Sequence, residues 1–184
     1  MNWSLASEWF TVWGNAFRNP SSDCLLSHLR CITDDNKNAY CKRSYLYGSD
    51  VPVSTTDFEE LSDSVKEFLS QVPNLYVEDA AVSSGRLLEV RIRSVTNDPA
   101  TALAVKNLLH RMPLRHPQTP HPLGLIVARG MPKTFTAIGE DPHSRALTVL
   151  VGGNASVETI VNVEMGIVHD VVGSGEGNRT VLRS

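Results

Sequence analysis

The sequence predicts an α+β fold, and three observations carry that expectation. Apolar residues keep a helical period through the first part of the chain, as in Phe58, Leu61, Val65, Phe68 and Leu69. Short β-branched runs dominate the part after residue 74, as in Ala146-Leu147-Thr148-Val149-Leu150-Val151. Clusters of Pro, Gly, Ser and Asn separate the two kinds of run. Helices that bury one stripe and strands that bury one side need each other to form a core.

Leu5, Trp9, Val12, Trp13, Ala16 and Phe17 predict a long amphipathic first helix carrying two indoles. Asn19-Pro20-Ser21-Ser22-Asp23 stops it and offers caps to a shorter helix over Cys24 to Arg30. Arg30 is the one positive charge in that second helix, which does not suit a DNA-reading role. A polar turn over Asp34 to Asn38 precedes Tyr40 to Tyr47, which fits a short edge strand ending at Gly48.

Thr56-Asp57-Phe58-Glu59 has the capping-box pattern, and the stripe that follows ends at Pro73-Asn74. Leu75 to Glu78 begins an extended segment, and Ser83-Ser84-Gly85 turns it into a hairpin. On the return strand Leu88, Val90 and Ile92 point one way and Glu89, Arg91 and Arg93 the other. Asp98-Pro99 supplies an N-cap and a first-turn proline for a helix over Ala100 to Leu109.

His110 to Pro122 holds four prolines, which excludes a central strand or a helix. Leu125 to Ala128, Thr134 to Ile138 and Ala146 to Val151 then read as strands. Gly152-Gly153-Asn154 is expected to turn the chain into Val157 to Val172, a β-branched run broken at Gly166. The expected organisation is a single domain over 1–172 with a Pro/His-rich insertion at 110–123, and a flexible Gly-rich tail at 173–184.

At 184 residues the chain is long enough to bury about two-thirds of its unfolded surface in one domain. A formal charge of -3 argues against bulk electrostatic binding of nucleic acid. Cys24, Cys31 and Cys41 are an odd count without CxxC spacing, which suits reduced thiols in the cytoplasm. The N-terminus reads as a mature helix rather than a signal peptide, and no run of eighteen apolar residues predicts a membrane span.

Glu8-Trp9-Phe10, Trp13-Gly14-Asn15-Ala16-Phe17, Phe58-Glu59-Glu60-Leu61, Pro73-Asn74-Leu75-Tyr76-Val77-Glu78 and Ser84 to Ile92 follow in an order of their own. That order resembles the nuclear transport factor 2-like superfamily, in particular its SnoaL-like polyketide-cyclase branch, over residues 5 to 96. The resemblance implies a cone-like curved antiparallel sheet wrapped around N-terminal helices, with a small hydrophobic molecule at its mouth. It further implies a cyclase, isomerase or dehydratase without cofactor, or a non-catalytic binding or protein-interaction module of the same fold, and a homodimer. After residue 96 the family's closing aromatic, glycine turn and tryptophan find only Phe135 and Gly139 as counterparts. A weaker resemblance, through Phe58 to Ile92, Pro132-Lys133 and Arg145 to Val149, is to the small N-terminal domains of copper amine oxidases. That family's quinone-forming and copper-binding motifs are absent from this sequence.

Within such a cone His169-Asp170 is the first candidate acid/base pair, a histidine near its ordinary pKa of about 6.5 being able to move protons in ring closure or elimination. Neighbours on a strand point to opposite sides, so either the strand bends at Gly166 or only one of the two faces the interior. Glu89 as base and Arg91 as stabiliser of an enolate form a second candidate set; the plainer reading makes Glu89, Arg91 and Arg93 a solvated face. Tyr45 and Tyr76 either contact a ligand or fill core. His110, His116 and His121 match a metal site by number but not by spacing.

Overall fold

The computed structural model describes residues 12–35, 55–83, 89–111 and 123–155. In chain order these form β1 (Asn15–Arg18), α1 (Ser22–Asp35), α2 (Thr55–Ser70), β2 (Asn74–Ser83) and β3 (Glu89–Thr96). They continue with α3 (Pro99–Leu108), β4 (His110–Arg111), β5 (Leu123–Arg129), β6 (Phe135–Glu140) and β7 (Leu147–Gly153). The α+β class holds. The expected residues Tyr40 to Tyr47, Val157 to Val172, the tail and most of the Pro/His-rich stretch lie outside the described residues.

The strands make one seven-stranded sheet in the order β1-β2-β3-β5-β7-β6, with β4 also pairing β2. The sheet is mixed rather than antiparallel throughout, because β1–β2, β3–β5 and β5–β7 run parallel. The parallel step from β3 to β5 follows from α3, since two parallel neighbours need a crossover. Asp98 starts that crossover as the sequence predicts, its carboxylate accepting from Thr101 N at 2.9 Å and Thr101 Oγ1 at 2.6 Å. Asn97 prolongs the β3–β5 pairing by one residue. Its side-chain amide donates to Arg129 O and its Oδ1 accepts from Arg129 N, both at 2.9 Å.

Alternation along the strands divides the interior in two. Leu75, Val77, Val95, Ile126, Ala128, Ala137 and Leu150 pack with Phe58, Val65 and Leu69 of α2. Ala80, Ile92, Leu123, Leu125, Val127, Val149 and Val151 face the other way, with Val105 and Leu109 at the end of α3. Leu25 of α1 joins Tyr76 and Ala102 on that second side. Helices therefore cover both faces, which explains why β5 reads as a nearly unbroken apolar run. Leu69 and Leu75 are fully buried, and each such side chain contributes about 2 kcal/mol.

Two further expectations are corrected. The first helix was expected to run through Phe17, but Asn15–Arg18 is a strand that pairs with Asn74–Val77. Backbone pairing outweighs the helical period there, and Asn19, at φ 48°, locks the end by accepting from Asp79 N at 2.8 Å. Gly152 and Gly153, expected as a hairpin turn, are the last residues of β7. The β5–β6 connection crosses them: a Cβ on Gly153 would lie 2.7 Å from Thr134 Cα and 2.9 Å from Lys133 O, and φ there is 81°. Among the described residues no helix is long and apolar enough to cross a membrane.

Candidate functional site

Adjacent residues of β2 place two carboxylates on opposite faces of the sheet. Asp79 stands directly across from Arg93 of β3, whose Nε lies 2.6 Å from Asp79 Oδ1 and whose Nη2 lies 3.2 Å from Oδ2. Arg18, at the end of β1, closes the group by donating from Nε at 2.8 Å and from Nη2 to the same Oδ2. Asp79 and Arg93 are both buried, so the expected solvated face of Glu89, Arg91 and Arg93 is corrected at Arg93. On the other face Glu78 meets Lys106 of α3 at 3.1 Å. A pocket of about 10 Å³ lies beside that pair, lined by Glu78, Asp79, Ala80, Val105, Lys106 and Leu109, and holds roughly one water.

Asp141, in the turn between β6 and β7, is bound as closely. Its Oδ1 accepts from His143 N at 3.0 Å and Ser144 N at 2.8 Å, and its Oδ2 accepts from Lys66 Nζ of α2 at 2.7 Å. Burial pushes the Asp141 carboxyl up, but the Lys66 and backbone donors outweigh that and hold it below its ordinary value of 3.8. The buried carboxylates of the described residues, Glu78, Asp79, Asp98 and Asp141, thus each tie one element to another or cap a turn.

Of the residues the sequence singles out, His169, Asp170 and Tyr45 lie outside the described residues. Glu89 opens β3 across from Ser83, and Arg91 is half-buried across from Ala81. Tyr76 is fully buried; its hydroxyl lies 2.9 Å from His28 Nδ1 and its ring stacks on Phe17 at 5.6 Å. Desolvation, and after it the nearby Cys24 and Asp98, push the Tyr76 phenol up to about 12. His110 pairs with β2 as part of β4, while His116 and His121 lie outside the described residues. Among the described residues no group of three His, Cys, Asp or Glu stands close enough to hold a metal ion.

One feature was not singled out from the sequence. Among the described residues β6 ends the sheet, and it pairs with β7 residue for residue from Phe135 to Glu140. Phe135 and Ala137 pack toward α2, so Thr136, Ile138 and Glu140 point to the opposite face, and Ile138 is 52% exposed. The strand has no Pro, no Lys and no bulge, the devices that usually blunt an edge. The alternation Thr134, Thr136, Ile138 was the available signal, but only the strand order makes it an edge. No family model matches this chain, and no curated protein matches it.

Proposed function

We propose that this chain is a non-catalytic protein-interaction domain, the second of the two readings that its sequence resemblance left open. The edge of β6, unpaired among the described residues, carries the proposal. It offers a row of backbone donors and acceptors beside an exposed isoleucine, the surface on which an extended polypeptide adds as a further strand. The interior agrees, because the buried carboxylates of the described residues are each engaged by a cation or a cap that holds the fold.

The enzyme reading, a cofactor-free cyclase, isomerase or dehydratase, needs the sheet to curl into a cone over a small hydrophobic molecule. It rests on His169, Asp170 and the Glu89 side chain, with Tyr45, Tyr76 and Arg91 around the ligand. No described contact favours it. Cys24 is a free thiol among the described residues, which agrees with a reducing compartment such as the cytoplasm.

The test is a photo-reactive amino acid placed at Ile138, and separately at Glu59 on the exposed side of α2. After irradiation in living cells, polypeptide adducts at 138 and none at 59 are expected. Equal labelling at both positions, or none at 138, would contradict a protein-binding edge.

A further inference from the structure

We propose that a second copy of this chain occupies the β6 edge, antiparallel and centred on Ile138, so that two sheets join into one across a twofold axis. The inference deepens the protein-interaction reading and rests on it. Residues directly opposite in an antiparallel pair point to the same face, and a twofold axis normal to the sheet makes the contact isologous. The axis must therefore pass midway between the two copies of one β6 residue. Placed at Ile138, it sets the two exposed isoleucines against each other and buries what each chain alone leaves in water.

The flanking residues are complementary in that register. Thr136 of one copy stands opposite Glu140 of the other, so a hydroxyl donor meets a carboxylate on each side of the axis. Glu140 is also paired with Arg145, whose Nε lies 2.6 Å from Oε1 with both side chains exposed. On the opposite face Ala137 meets Gly139, two small residues that leave the strands free to close. Like charges never stand opposite one another in this arrangement, whereas a lysine at the axis would face its own copy.

Sedimentation velocity and cysteine cross-linking of the full chain test the proposal together. The wild-type chain should sediment as a dimer at micromolar concentration, and Ile138→Lys should weaken dimerisation roughly 100-fold. With dissolved oxygen as oxidant, Ile138→Cys should form a 138–138 disulfide, identified by peptide mapping beside the native cysteines. Thr136→Cys alone should not, since two such residues would be about 13 Å apart along the strand. A mixture of Thr136→Cys and Glu140→Cys should give the 136–140 bridge.

A chain that stays monomeric, a dimer that survives Ile138→Lys, or a 136–136 bridge as abundant as 138–138 would overturn the proposal. Photo-adducts at 138 to a different polypeptide, with the purified chain monomeric, would also overturn it while leaving the protein-interaction reading standing.

Discussion

Lys66 Nζ lies 2.7 Å from Asp141 Oδ2, and with both side chains buried this pair ties α2 to the turn between β6 and β7. Removing one member leaves an uncompensated charge in the interior. We expect Lys66→Met to cost roughly 3 kcal/mol. The double variant Lys66→Met with Asp141→Asn should recover part of that loss, because an asparagine oxygen can still accept from His143 N and Ser144 N. Urea unfolding of the four chains in a double-mutant cycle measures the coupling.

The same carboxylate makes stability depend on acid. Its folded pKa lies below the ordinary value of 3.8, so its contribution is fully present above that value and is lost as pH falls through the folded one. The stability difference between wild type and Asp141→Asn should therefore shrink progressively below about pH 4 and be constant above pH 5. Urea midpoints measured across that range give the answer.

Tyr76 makes stability depend on alkali in the same way. A phenol pushed up to about 12 in the folded chain ionises first when the chain unfolds, so stability should fall as pH rises from about 10 toward 12. In an ultraviolet titration, this one of the four tyrosines should ionise together with unfolding. Tyr76→Phe should remove that late step and, by losing the His28 hydrogen bond, cost about 1 kcal/mol at neutral pH.

Gly14 and Gly130 separate crowding from backbone strain. A Cβ on Gly14 would lie 2.5 Å from Pro73 O and closer still to Val72 O, so Gly14→Ala should push β1 from β2 and cost about 1–3 kcal/mol. Gly130 has open space around it but φ of 86°, and Gly130→Ala should cost only the about 1–2 kcal/mol of a left-handed residue. Thermal unfolding of both variants, with amide exchange at Phe17 as a local probe, distinguishes the two effects.

The elements that were legible in the sequence are those whose signals are local. α2 follows from its apolar stripe, α3 from Asp98-Pro99, and β5, β6 and β7 from β-branched runs. β1 was hidden because Val12, Trp13, Ala16 and Phe17 keep a helical period, while its partner on β2 lies about sixty residues away. The parallel order is hidden for a similar reason: strand, helix and strand in succession allow a crossover, but the four prolines between Leu109 and Leu123 separate α3 from β5 in the sequence. Arg93 looked solvated because alternation shows a shared face but not whether a helix covers it. The candidate edge was invisible until the strand order placed β6 outermost.

The most direct measurement is amide hydrogen exchange of Phe135 to Glu140 in the purified full chain, repeated on dilution and with Ile138→Lys. Pairing with a second copy predicts that the outward amides of β6 are protected at high concentration and lose protection on dilution or substitution. Fast exchange at every concentration, unchanged by Ile138→Lys, would contradict the account.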